Sequence, residues 1–363
     1  MPYLETLGQR GRWCPSAGRA LPLLAPLSLA LAVGAAKAQA MTPAQFAEAC
    51  AANPSNVVTL AESLKLQSGS SGTTFAVPAG CTVVLAKDAS LELDTITFSF
   101  GGPFVLLGGE KSAFVLDKAT LTAPTVDLSL TGVEGRFEMN EARLAATSGD
   151  LWLRFGIKGK LEVKNSGGWY QPRLSARGRL NLNTGAQFGG TVVQSGLQGA
   201  SGMAFAFGGA DSSFKIEKSD LLLSSGASNP GTYRSGAFQV SSAASKVAFE
   251  LIDVNLMEAS RAVTVTLDGP ESKLGLLSVR SQTLSRRISL TALGSKGEVK
   301  VENPLLQGSP EVVIESGPQG STTVKTAPGT ISASERIRIR AGTNGSCSAN
   351  TQGLIAPVLQ VCQ

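Results

Sequence analysis

One unit of hydrophobic and polar positions recurs along most of the chain. It runs apolar, any residue, apolar, an acidic residue or asparagine, three residues, then another apolar residue. It reads Leu91-Glu92-Leu93-Asp94 closing at Phe98, then Phe114-Val115-Leu116-Asp117 closing at Leu121, then Phe137-Glu138-Met139-Asn140 closing at Leu144. Further copies are Phe214-Lys215-Ile216-Glu217 closing at Leu221, Val247-Ala248-Phe249-Glu250 closing at Val254, and Val299-Lys300-Val301-Glu302 closing at Leu306. Partial copies begin at Leu161, Leu180, Leu274 and Thr322. The starts fall at 91, 114, 137, 161, 180, 214, 247, 274, 299 and 322, so most steps lie near 24 residues and three, of 19, 34 and 33, do not.

Apolar residues alternating at period two mark a strand with one face buried. No single copy can bury its apolar face alone, whereas successive copies stacked in register can. The pattern therefore predicts an all-β solenoid, a parallel β-helix of about 10 rungs over residues 57–340, roughly 50 Å long at about 4.8 Å per rung. Phe114 is expected over Leu91, and Phe137 over Phe114. An antiparallel sandwich would instead show hairpin turns every 8–12 residues or so. The stack reads as regular from Leu91 to Leu144, disturbed between about 150 and 212, and regular again from Phe214.

The ends of such a stack need covering. Thr42-Pro43-Ala44-Gln45 has the form of a helix N-cap with proline at the first helical position, and Phe46, Ala49 and Cys50 give that helix an apolar side. Residues 41–56 are read as an N-terminal capping helix. Ile337-Arg338-Ile339-Arg340 reads as a last strand, and residues 341–363 as a cap segment folded back over it. Ahead of all this lie Arg10, Arg12 and Arg19, an apolar run from Leu21 to Ala36, and Ala38-Gln39-Ala40. This is the form of a secretory signal peptide over residues 1–40, with mature protein starting near Met41. The expected location is exported: periplasmic, cell-surface or extracellular. No later segment is apolar enough to span a membrane.

Removing the leader changes the charge and cysteine readings. The whole chain is +5, but residues 1–40 carry +3 of it, which leaves +2 and little case for a nucleic-acid partner. Cys14 leaves with the leader, and Cys50, Cys81, Cys347 and Cys362 remain. An even number in an exported chain suggests disulfides. Three pairings are open; the two terminal groups favour Cys50–Cys81 and Cys347–Cys362. The chain has no histidine, which excludes Ser–His–Asp and Cys–His catalysis and His-ligated metals.

On the repeat period and the capping, the chain resembles the right-handed parallel β-helix group, the pectin-lyase-like proteins, over about residues 57–340. That group contains polysaccharide lyases, glycoside hydrolases, adhesins and exported proteins of other kinds, so the resemblance implies a fold more than an activity. Its lyases hold calcium with acidic residues and abstract a proton with a basic one. Asp94 and Asp117 hold the same repeat position one rung apart, with Lys118 next to the second. They are the candidate metal residues, and calcium is the one cofactor left open. The plainer reading is an outward ladder of turn residues continued by Asn140, Asn183, Glu217 and Glu250.

The other candidate chemistry lies in the disturbed stretch. Trp152, Arg154, Lys158, Lys160, Lys164, Trp169, Tyr170, Arg173, Arg177 and Arg179 include both tryptophans found after the leader, and from Arg154 to Arg179 only Glu162 is acidic. Aromatic rings stack on sugar faces, and arginine grips carboxylate or sulfate with paired hydrogen bonds. The stretch is thus a candidate contact site for an anionic polysaccharide or cell-surface glycan. The alternative is a loop packed on the flank of the rod with solvated lysines. The expected function is a non-enzymatic surface or extracellular protein for glycan contact or adhesion. A lyase or hydrolase of an anionic polysaccharide, and a purely structural envelope or matrix component, are the other expectations.

Overall fold

A computed structural model describes residues 41–52, 56–68, 73–164, 174–223, 236–257, 262–281, 287–327 and 329–363. Three short strands make each turn of a coil. Val126–Leu130, Arg136–Asn140 and Arg143–Ala146 form one such turn, on what we term the first, second and third faces. Each strand pairs in parallel with its equivalents one turn before and one turn after, as Val126–Leu130 does with Phe104–Gly108 and Leu151–Phe155. The second face is a 12-stranded sheet from Leu64–Gln67 to Ser346–Ala349. The chain is a parallel β-solenoid of about 11 turns, close to the number of rungs the repeat predicts.

Inward residues stack on themselves along the coil. Phe114 pairs with Leu91 and Phe137 with Phe114, as the repeat requires. The rings of Phe114 and Phe137 lie 5.6 Å apart at 14°, and both side chains are fully buried. Stacked aromatics on adjacent rungs add about 0.5–1.5 kcal/mol per pair to the burial itself.

Two of the three corners of a turn are made by single residues in the left-handed region. Between the first and second faces these run from Asp88 and Lys111 to Gln319 and Asn344. Between the second and third faces they include Thr95, Lys118, Glu141 and Asn303. A left-handed residue other than glycine costs about 1–2 kcal/mol. Here the cost is offset, because the bent residue donates its N–H to the next turn: Lys111 N to Val133 O at 2.8 Å, Lys118 N to Asn140 O at 2.9 Å. The backbone ladder thus runs round the corner.

Two repeat assignments change. Leu180-Asn181-Leu182-Asn183 belongs to the first face, where Leu180 pairs with Leu151. The second-face strand of that turn is Gly189–Val193, with Gly190 between Leu161 and Phe214. The copy at Val247 is two residues out of register, since Phe249 is the residue paired with Phe214. The steps at this position become 29, 24 and 35 residues. Among the described residues of 150–212 the first-face strands keep their pairing: Leu151–Phe155 pairs with Leu180–Thr184, and that with Gly202–Phe207. Glycine hid the true copy. A side chain at Gly190 would meet the rings of Phe214 and Phe188 at 2.5 and 2.7 Å, so the two phenylalanines already fill that place.

Both ends are closed covalently. The helix Pro43–Ala52 has the reciprocal cap its sequence implies: Gln45 N donates to Thr42 Oγ1 at 3.3 Å, and Thr42 N donates to Gln45 Oε1 at 2.8 Å. Phe46 packs edge-on to Phe98 at 5.5 Å, and Cys50 is bonded to Cys81. At the other end Cys347 is bonded to Cys362. The segment between them is not folded back. Ser346–Ala349, Leu354–Ile355 and Val358–Val361 pair in parallel with the turn before and form one more turn of the coil. The disulfide ties two walls of that turn together. Two disulfides point to an oxidising, exported compartment. Among the described residues no helix is long and apolar enough to cross a membrane.

Replacing Cys50 and Cys81 together by serine opens a 31-residue loop and is expected to lower stability by about 3 kcal/mol, read from urea unfolding. Gly190→Val drives a branched side chain into Phe188 and Phe214 and should cost about 1–3 kcal/mol in the same measurement.

Candidate functional site

The described basic residues of 152–179 wind round a single turn and stand on different faces of it. Trp152 and Arg154 lie on the first face, in the strand Leu151–Phe155. Lys158 is the left-handed corner residue that follows. Lys160 and Lys164 end the second-face strand Lys160–Lys164. Arg177 and Arg179 lie between Leu174–Ala176 on the third face and Leu180–Thr184 on the first. Trp169, Tyr170 and Arg173 lie outside the described residues.

Most of these cations have an acid beside them. Arg154 pairs with Asp127, and its guanidinium lies 4.7 Å from the centre of the Trp152 ring. Lys158 is 3.6 Å from Glu134, Lys160 3.6 Å from Glu162, and Lys164 2.6 Å from Glu162. At Arg177 and Arg179 the backbone N–H groups bond Ala146 O and Asp150 Oδ1 at 3.0 and 2.7 Å.

What stacking brings together is a group on the first face drawn from three turns. Asp127, Trp152 and Asn181 stand directly over one another, and so do Ser129, Arg154 and Asn183. Trp152 is half-buried, Asn183 is exposed, and Asn181 is buried with its Nδ2 donating to Arg179 O at 3.2 Å. Asp127, Asn181 and Asn183 were not among the sequence candidates. Each occupies an outward slot of its own strand, and only the register between turns shows that they surround Trp152. Further along, the first face presents Ala204, Gln239, Ser241, Thr264 and Ser289, and charge returns at Arg287, 3.4 Å from Glu311, and at Glu315, which Arg340 contacts at 2.9 Å.

Asp94 and Asp117 are adjacent in register, as their repeat position implies. Both have partners. Lys65 Nζ lies 2.9 Å from Asp94 Oδ2 and 2.6 Å from Glu92 Oε1, and Thr95 Oγ1 donates to Asp94 Oδ1. Asn140 Nδ2 donates to Asp117 Oδ1 at 2.8 Å. The hydrogen bond from Lys65 holds the Asp94 carboxyl below its ordinary value. Calcium takes about 6–8 oxygen ligands. Two carboxylates, one of them against a lysine, do not fit that ion. Among the described residues no group of three or more acidic or cysteine side chains is placed to hold a metal. The ladder position runs on through Asn140, Lys164, Val193, Glu217 and Ile252. Asn183 stands on the first face and Glu250 over Lys215, so neither belongs to it.

The second face is a lattice of such pairs. Lys215 lies 2.7 Å from Glu217, while Lys300 and Lys325 lie 3.2 and 3.1 Å from Glu302. Hydrogen bonds from these lysines hold Glu217 and Glu302 below the usual carboxylate range, and Lys164 does the same to Glu162.

A carboxylate whose pKa is lower in the folded chain stabilises it above the unfolded value, near about 4, and that contribution fades as the pH falls through the folded value. The melting temperature is therefore expected to hold steady from neutral pH to about 5 and to fall below about 4. Asp94→Asn should flatten the acid branch; an unchanged acid branch in calorimetry would show that the Lys65 pair contributes nothing to it. Compared with known protein families, curated proteins and solved structures, the chain finds no match in any of the three.

Proposed function

We propose that this is an exported β-helix protein that acts by contact, its first face meeting a glycan at the cell surface or outside the cell. Residues 1–40 are the export signal in this reading, and the coil is a scaffold of the pectin-lyase-like kind. The observation that carries it is the setting of Trp152. An indole stands outward on a flat sheet face, between an aspartate and an asparagine, with the Arg154 guanidinium against its ring and Asn183 alongside. Sugars are bound by groups of this kind: an aromatic surface for the C–H face, and amide and carboxylate groups for the hydroxyls.

Rigidity supports the same reading. The strand that carries Trp152 is paired on both sides, and the inward neighbours Leu151, Leu153 and Phe155 are buried. A site on a paired strand loses little freedom when it binds, so more of the contact energy is retained as affinity. Fold likeness to lyases is an analogy and supplies no reaction of its own.

An array of neutral and acidic surface glycans tests the proposal. The full chain is expected to bind at least one class, and Trp152→Ala to weaken that binding about tenfold while thermal unfolding stays unchanged. Equal binding by the variant would remove Trp152 from the site, and no binding by the wild type would sink the reading.

A further inference from the structure

The corner between the first and second faces carries a charge pattern that intrachain pairing does not account for. Its left-handed residues are consecutive along the coil, each donating its N–H to the turn that holds the next. The first four are Asp88, Lys111, Glu134 and Lys158; the fifth is Gln187; the next four are Asp211, Lys246, Glu271 and Lys296; the neutral Gln319 and Asn344 end the row. The first nine, which hold all its charge, are exposed. Their signs read minus, plus, minus, plus, neutral, minus, plus, minus, plus.

Alternation by itself has a local reason. Neighbouring turns lie about 4.8 Å apart, and like charges at that spacing repel. Lys158 lies 3.6 Å from Glu134, and Lys296 3.8 Å from Glu271. The neutral centre has no such reason. An unbroken alternation over nine turns is symmetric about its middle, so a two-fold axis there would set like charge on like. Gln187 shifts the phase, and the row becomes antisymmetric. Under a two-fold axis at Gln187, Asp88 faces Lys296 of a second copy, Lys111 faces Glu271, Glu134 faces Lys246, and Lys158 faces Asp211. Every charged residue meets its opposite.

The residues one position earlier add an apolar seam at the same place. Val133 and Ile157 are 41% and 51% exposed, among the few large apolar side chains left open to solvent, and Ala186 and Ala210 follow on the next two turns. The same axis sets Ile157 against Ala210 and Ala186 against itself.

We propose that this corner is an interface between two copies of the chain, lying antiparallel about a two-fold axis at Gln187. A two-fold contact uses the same strip on both partners. The strip is about 38 Å long, eight steps of about 4.8 Å, and it is narrow. Such a contact falls in the small, weak class of interfaces. Exposed pairs contribute little each and are screened by salt. The dimer is thus salt-sensitive, and it buries a short apolar centre within a charged border.

Sedimentation velocity of the full chain tests this in about 20 mM and about 0.5 M salt. Dimer at low salt that dissociates at high salt is expected. Asp211→Lys places like charges opposite Lys158 twice and should weaken association at least tenfold. Lysine already stands at four of these left-handed corners, so that variant should fold, and thermal unfolding at high salt checks it. Adding Lys158→Asp to Asp211→Lys restores opposite signs and should restore the dimer. A wild type that stays monomeric at low salt overturns the proposal. So does a dimer indifferent to salt and to Asp211→Lys, or a double variant that stays monomeric.

Discussion

The structure depends on one backbone device, the left-handed residue that turns the chain while keeping its hydrogen bond to the next rung. Lys111 and Lys118 adopt it on one turn, at two of its three corners, and their N–H groups reach Val133 O and Asn140 O. A buried or shielded N–H without a partner costs about as much as a lost hydrogen bond. A corner that broke the ladder would leave such groups on every turn. Because it does not break, each turn inherits the register of the one before, and every inward and outward side chain is stacked on its equivalent.

That register governs both the core and the surface. Inside, like residues meet: Phe98 lies on Phe75 and Phe137 on Phe114. The core tolerates a glycine at Gly190 because Phe188 and Phe214 fill its place. Outside, the same stacking would pile up charge, and the second face answers with lysine–glutamate pairs such as Lys164–Glu162 and Lys325–Glu302. The first face is different: around Trp152 it offers aromatic, amide and guanidinium groups, and beyond Asn183 it offers alanine, glutamine, serine and threonine.

The candidate sites were legible only in part, and the reason is geometric. In a solenoid, a stretch of about 25 residues circles the axis once, so residues near in sequence face different directions. Arg154, Lys160 and Arg177 stand on the first face, on the second face and at the third corner for this reason. Residues about one turn apart in sequence are the spatial neighbours. Asp127, Trp152 and Asn181 illustrate this, and so do Asp94 and Asp117, whose shared repeat position did place them together. What the repeat could not show was Lys65 reaching across from the turn before to hold Asp94.

The sequence by itself pointed to the coil and its helical cap, and it favoured one of three cysteine pairings. Period-two alternation repeated about every 24 residues, in place of hairpin turns at shorter spacing, favours stacking in register, and the Thr42–Gln45 cap and the two terminal cysteine groups are local signals. Only the tertiary structure decided which copies share a face. Leu180 and Gly190 compete for the same place in the repeat, and apolar content alone favours the wrong one. The choice falls to Gly190 because the chain needs a strand on each of three faces per turn, and because two phenylalanine rings occupy the space a larger side chain would need. The surface, too, was decided in three dimensions: what each charge meets depends on the turn above and the turn below, which no local stretch of sequence contains.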